Sequence, residues 1–109
     1  MSMEIMFRGM SASPAVEATA RRWGARLDRI FDRIVRSSVV IELPHRHQRH
    51  GHAFDVRIEV TIPERTIVVT QENPDVYIAV ADAFQAARRQ LQEHVQARRS
   101  RMRCGVAMA

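Results

Sequence analysis

The sequence contains no lysine, and all seventeen of its cationic side chains are arginine. It has one cysteine, Cys104, which excludes an intramolecular disulfide and a cysteine framework for zinc. With only four glycines, it contains nothing that resembles a glycine-rich phosphate-binding loop. No apolar run is long enough to span a membrane, and residues 1–10 contain Glu4 and lack the apolar core of a signal peptide. These absences predict a soluble protein of the reducing cytoplasm.

The size and charge of the chain limit the number of domains and the kind of partner that can be expected. A chain of 109 residues with a hydrophobic fraction of 46% suffices for one compact domain with a modest core. Its formal net charge is +5, and its sequence pI is about 11.1. Genome composition can account for the missing lysines. Arginine also stays charged at any relevant pH, and it forms bidentate hydrogen bonds with phosphate oxygens or stacks on bases. The balance favours nucleic acid over an acidic small molecule as the partner.

Local patterns predict six elements in the order β-α-β-β-β-α. Gly9 closes the first strand, Ser13-Pro14 caps the first helix, and Phe54 to Ile62 alternates strictly between apolar and polar residues. The predicted elements are a strand at 3–8, a helix at about 14–33, strands at 38–43, 54–62 and 66–70, and a helix opened by Asn73-Pro74 that stays regular to about 96. We expect an α+β fold in which two helices cover one face of a four-stranded sheet. Residues 1–97 should form a single domain, and residues 98–109 a basic, flexible tail.

The first helix carries a row of arginines that we call the arginine flank: Arg22, Arg26, Arg29 and Arg33. Their spacings of four, three and four residues place them along one side of an α-helix. The apolar residues of the segment centre roughly 125° away around the helix, so one face packs while the arginine flank stays in water. The acids Glu17, Asp28 and Asp32 fall on the other side and leave much of this charge unneutralised. A polyanion is the natural partner of such a surface.

The second helix combines an apolar face with a polar ridge. The predicted apolar face contains Tyr77, Val80, Phe84, Ala87, Leu91 and Val95. The ridge contains Gln85, Arg89, Gln92 and Gln96. By helical phase, we expect Tyr77 and, in the first helix, Trp23, Phe31 and Ile34 to belong to the core rather than to serve as base-stacking platforms.

The loop at residues 45–52 has the most unusual local composition, His-Arg-His-Gln-Arg-His-Gly-His. It could be a basic finger that meets phosphate and stacks on bases, with histidines that gain charge when protonated. This interpretation is favoured, and the alternative is an ordinary solvated loop of no special role. A metal site is the least favoured hypothesis, because alternating histidines with two arginines and no nearby acid or cysteine make a poor cage.

Catalytic patterns are weak throughout the chain. No serine sits in a nucleophile elbow. Glu93 and His94 are neighbours in sequence, so a helix points them in different directions. Cys104 is interpreted as incidental. We therefore expect neither an enzyme nor a cofactor.

Three short motifs carry a resemblance to a known family. They are Phe31-Asp32-Arg33-Ile34, His45-Arg46-His47 followed by Gly51, and Asp75-Val76-Tyr77-Ile78-Ala79 leading into Arg88-Arg89-Gln90-Leu91. Over residues 4–97 the chain resembles the ribosome hibernation-promoting factor and ribosome-associated inhibitor family, also labelled sigma-54 modulation or ribosomal subunit interface proteins. The resemblance is to the short form of the family, and we expect no counterpart of the C-terminal domain that pairs two ribosomes in the long forms. Self-sufficient ribosome dimerisation is therefore not expected.

The resemblance implies a fold like the double-stranded RNA-binding domain and a role under stress. Such proteins bind 16S ribosomal RNA of the small subunit and block the channel for messenger and transfer RNA. Arg26, Arg33 and Arg89 stand where the family has basic residues, and Asp75 and Tyr77 match its aspartate-tyrosine motif. The predicted RNA-binding residues are Arg22, Arg26, Arg29, Arg33, Arg46, His47, Arg49, Arg88, Arg89, Arg98 and Arg99.

The second helix departs from the family pattern. Ala86, Glu93, Val95 and Ala97 occupy positions where the family often has lysine. This helix should therefore grip RNA less strongly, with arginines of the tail compensating. The alternative function is regulation of a transcription or phosphotransfer protein by direct protein interaction, as the sigma-54 label suggests.

Overall fold

The structure is a computed structural model that describes residues 2–44 and 53–108. Its elements follow the predicted β-α-β-β-β-α order and confirm the α+β fold. They are β1 (Ser2–Arg8), α1 (Pro14–Ile30), β2 (Arg36–Glu42), β3 (Phe54–Ile62), β4 (Arg65–Asn73) and α2 (Val76–Met108). The boundaries of β3 coincide with the predicted ones, because strict alternation over nine residues leaves little choice of phase. β2 begins earlier than predicted, and β4 is longer at both ends.

The four strands form one sheet in the order β1-β2-β3-β4. β1 runs parallel to β2, and the other neighbouring pairs are antiparallel. Gly9, with a φ of 68°, ends β1 in a conformation that glycine adopts without steric cost. A parallel pair needs a crossover connection, and α1 supplies it.

One face of the sheet forms the core with the helices. Val56, Ile58 and Val60 of β3 are fully buried, whereas Arg57 between them is exposed. α2 packs on β3 and β4, and α1 packs on α2 and β1. Both helices therefore cover the same face, as predicted, and the opposite face of the sheet remains uncovered by any described element.

The prediction of a buried Tyr77 is wrong, because its side chain is 45% exposed. The buried side of α2 includes Ala79, Ala83 and Ala86, which the predicted apolar face omits. These alanines let the helix approach the sheet closely and turn the centre of its buried face away from Tyr77. Val95, the last residue of the predicted face, is half-buried.

α1 begins as predicted and ends earlier. The Ser13 side chain accepts a hydrogen bond from the Val16 N–H at 3.3 Å, and Pro14 occupies the first turn. The helix ends at Ile30 rather than near residue 33, because Phe31 is extended, with a φ of −123°. The chain leaves the helix there and places Ile34 in the core at 7% exposure. Arg33 consequently lies outside the helix.

α2 differs from the prediction at both ends. Asp75, not Asn73, caps it, because Oδ1 of Asp75 accepts hydrogen bonds from the N–H groups of Tyr77 at 2.9 Å and Ile78 at 3.3 Å. The helix continues to Met108 rather than losing regularity near residue 96. Arginine, alanine and methionine, which make up most of residues 97–103, are good helix formers, so the backbone stays helical after the apolar pattern ends. Flexibility of residues 98–109 stays a prediction.

Candidate nucleic-acid interface

Three members of the arginine flank lie on α1 as predicted: Arg22, Arg26 and Arg29. All three side chains are exposed, and none forms an ion pair with any residue in the described ranges. Glu17 instead pairs with Arg21, at 3.1 Å, on another side of the helix. The positive charge of Arg22, Arg26 and Arg29 is therefore not cancelled by acids on the same helix.

Arg33, the fourth member, has a different environment. Its guanidinium lies 2.6 Å from Oε1 of Glu64, in the turn between β3 and β4. The same carboxylate oxygen pairs with Arg98 of α2. Glu64 lies thirty-one residues beyond Arg33 in the sequence, so the spacing of acids and arginines along one helix does not predict this pair. Arg33 therefore does not extend the unneutralised row.

The two helices meet at an aromatic contact. The rings of Trp23 and Phe84 stack with centroids 6.2 Å apart and an interplanar angle of 12°. The guanidinium of Arg26 lies 5.0 Å from the centroid of the Trp23 ring, within range of a cation–π interaction. Phe84 is buried, as predicted, while Trp23 is half-buried and packs against the core. This contact fixes one arginine of the flank against a rigid surface.

A groove of about 190 Å³ runs over this contact between the helices. Arg26 lines it from α1, and Gln85 and Arg88 line it from α2. The predicted residues Arg26 and Arg88 are thus brought together, although they are far apart in sequence. Arg89 is exposed and lies about 100° further around α2. The groove could receive a phosphate backbone between two guanidinium groups.

A second, larger hollow adjoins the groove. It encloses about 530 Å³ between the end of α1, the β3–β4 turn and α2, and Ile30 lines both spaces. The predicted residues Arg33, Arg98 and Arg99 line this hollow, together with His94. Within the described ranges, the predicted RNA-binding arginines therefore lie in the groove, in the larger hollow or on the exposed surface beside them.

The charges of the domain are segregated between its two sides. The described side chains of α1 and α2, through Arg101, include nine arginines and four acids. The uncovered face of the sheet has the opposite balance, with five acids and three arginines. Those sheet residues are Glu4, Arg8, Arg36, Glu42, Asp55, Arg57, Glu59 and Glu72. A polyanion would therefore meet a favourable potential over the helices and an unfavourable one over the sheet.

Three predicted residues, Arg46, His47 and Arg49, lie outside the described residues, so the three hypotheses for their loop stay open. Among the side chains that the structure does describe, no group of three or more histidines, cysteines or acids could hold a metal ion. Within the same described part of the chain, no helix is long and apolar enough to cross a membrane.

Two further features of the site were not predicted from the sequence. Asp75, noted only for its place in a motif, caps α2. Nε2 of His94 is buried without a hydrogen-bond partner in the described part of the protein. The sequence does indicate that His94 lies close to Arg98, because residues four apart share one side of a helix.

The fold and the site together define a class of protein: an α+β domain in which an arginine-rich pair of helices covers one face of the sheet. The chain belongs to the Sigma 54 modulation protein / S30EA ribosomal protein family, whose model matches residues 3–99. This finding confirms the family indicated by the three sequence motifs. A comparison with curated protein sequences finds no significant match.

Two solved structures share the fold. The N-terminal domain of Protein Y from Thermus thermophilus is 23% identical, with a TM-score of 0.72, covering 86% of this chain and 99% of that one. A ribosomal subunit interface protein from Coxiella burnetii is 21% identical, with a TM-score of 0.74, covering 88% of this chain and 99% of that one. At these identities the similarity establishes the architecture, and the arginine positions must be argued from this chain itself.

Proposed function

We propose that this protein is a ribosome-associated translation inhibitor that binds 16S ribosomal RNA of the small subunit and blocks the channel for messenger and transfer RNA under stress. Family membership supports an association with the ribosome, in the cytoplasm. The observation that carries the proposal is the exposed row of Arg22, Arg26 and Arg29 beside a groove that Arg88 lines from the other helix.

The geometry suits recognition of RNA by shape and phosphate. Folded RNA presents phosphates at regular intervals, and arginine binds their oxygens with two parallel hydrogen bonds. Arg26 is held over Trp23, so less side-chain freedom is lost when it binds a phosphate. Arg22 also has a local partner, because its guanidinium donates a hydrogen bond to Oγ1 of Thr19 at 3.2 Å. The surface is therefore partly ordered before RNA arrives.

The proposed mechanism is competition by occupancy, without a chemical step. A domain bound in the channel excludes messenger and transfer RNA as long as it stays there. Inhibition should therefore saturate at one protein per small subunit, and a large excess of messenger RNA should reverse it.

The test uses purified small subunits loaded with increasing amounts of the full chain. Binding of a labelled messenger RNA and of initiator transfer RNA is measured by filter retention, and bound protein is measured by sedimentation. We expect both RNAs to be lost in proportion to the bound protein. Protein that sediments with the subunit while both RNAs still bind normally would rule out channel occupancy.

The second candidate is regulation of a transcription or phosphotransfer protein. The first half of the family description favours it, and the acidic uncovered sheet face offers a surface unlike that of the helices. A pull-down from lysate treated with ribonuclease separates the two functions. A protein partner survives digestion of the RNA, whereas ribosomal components are largely lost.

A further inference from the structure

The larger of the two hollows has the build of a ligand pocket, and we call it the Glu64 pocket. Its volume of about 530 Å³ falls within the roughly 300 to 1,000 Å³ that small-molecule sites enclose. Apolar side chains from the end of α1 and the residue after it, from β3 and from α2 line it: Ile30, Phe31, Ile62, Leu91 and Val95. Polar groups converge at one side of this apolar lining, which is the usual combination in a specific binding site.

Positive groups in the pocket converge on a single carboxylate. Arg33 and Arg98 both pair with Oε1 of Glu64, and Nε2 of His94 lies 3.9 Å from Oε2. Two guanidinium groups around one anion form the arrangement that also binds a phosphate. The side chains of Arg33 and Arg98 are 50% and 41% exposed, so an anion from solvent can reach them.

His94 adds a polar group that the protein itself leaves unused. Its side chain is only 12% exposed, and 3.9 Å is too long for a hydrogen bond to Glu64. Buried polar atoms normally have a partner. This nitrogen has no hydrogen-bond partner and faces Glu64, so a ligand that displaces the Glu64 carboxylate can supply one. Gln92 and Gln96 also line the pocket, and their side-chain amides can both donate hydrogen bonds to a ligand and accept them from it.

We propose that the Glu64 pocket binds a nucleotide. The phosphate takes the place of the Glu64 carboxylate between Arg33 and Arg98, and the base lies on the apolar lining with its polar edge toward His94. A nucleotide combines a phosphate, a flat apolar surface and a hydrogen-bonding edge, which match the two arginines, the apolar lining and the polar side chains of the pocket. The ligand is either a free nucleotide or an unstacked nucleotide of RNA. This inference goes beyond the proposed function and does not depend on ribosome binding.

The test is calorimetric titration of the full chain with adenosine monophosphate and with inorganic phosphate. Because Glu64 competes with the ligand for two arginines, Glu64→Gln should tighten adenosine monophosphate binding about fivefold. Arg98→Gln and Arg33→Gln should each weaken it by a similar factor. The control is Arg65→Gln, since Arg65 is exposed at the start of β4, directly after Glu64, and does not line the pocket. Wild-type affinity in both arginine variants, or equal affinity for phosphate and the nucleotide, would overturn the proposal.

Two further ligands identify the source of the nucleotide. One is a short RNA hairpin with a single-adenosine bulge, and the other is the same hairpin with an abasic bulge. Preference for the adenosine bulge that is lost in Arg98→Gln supports an RNA nucleotide, and binding of adenosine monophosphate alone supports a free one. Binding of neither overturns the inference. Thermal melts verify that each variant folds, because ion pairs near the surface contribute little to stability.

The outcome is separable from that of the proposed function. Small-subunit sedimentation of the variant that lacks Arg22, Arg26 and Arg29 tests the proposed function, whereas titration with adenosine monophosphate tests the Glu64 pocket, which none of these three residues lines. Failure to sediment with the subunit leaves a positive titration intact, and a negative titration leaves sedimentation intact.

Discussion

Replacing Arg22, Arg26 and Arg29 together by glutamine tests whether local geometry or overall charge drives binding. These side chains are exposed and have no ion-pair partner in the described ranges, so the variant should fold normally. If each arginine contacts one phosphate, the slope of log affinity against log salt should become shallower by about 2 to 2.7. At about 0.1 M salt that change corresponds to a loss of roughly 100- to 500-fold in affinity.

The assay is small-subunit binding measured by sedimentation across a salt series. The matched control replaces Arg8, Arg36 and Arg57, on the uncovered sheet face, by glutamine. Both triple variants remove three positive charges from a chain of net charge +5. Because salt screens distant charges, the control should keep its slope and lose no more than about threefold in affinity. Equal losses in the two variants would refute the reasoning, since net charge alone would then explain binding.

The remaining predictions concern the fold and the groove. Phe84→Ala should lower the free energy of unfolding by about 3 to 5 kcal/mol in urea denaturation, because Phe84 is buried and supports Trp23; a loss below about 1 kcal/mol would contradict its place in the core. Asp75→Ala should cost about 1 kcal/mol, read as a lower melting temperature, whereas Asp75→Asn should retain most of the cap. Trp23, the only tryptophan, should change its fluorescence when a 16S ribosomal RNA fragment occupies the groove. An unchanged emission spectrum at saturating RNA would place the binding surface elsewhere.

The fold could be predicted because its signals are local. The alternation in β3 and the Ser13-Pro14 start of α1 each depend on neighbours within a few residues. The early end of α1 was not predictable in the same way. The helical spacing of apolar residues continues past Ile30, where the helix ends. The reason for this end is visible only in the structure, because the chain leaves the helix at Phe31 and buries Ile34 in the core.

The candidate site was only partly predictable for the same reason. The phase of α1 correctly leaves Arg22, Arg26 and Arg29 exposed. The pairing of Arg33 with Glu64 joins residues thirty-one positions apart, and no helical rule brings them together. Likewise, Arg26 and Arg88 become neighbours only when two helices pack on one sheet. Contacts that close long loops of chain require the tertiary structure.

The separation of charge between the helices and the uncovered sheet face gives the domain an electric dipole moment directed across the sheet. Near a polyanion, such a dipole experiences a torque as well as an attraction. The molecule is therefore turned helices-first before any contact forms, which raises the fraction of encounters that are productive. The same rotation discourages approach by the sheet, so orientation is selected during diffusion, and added salt should slow association more than it speeds dissociation.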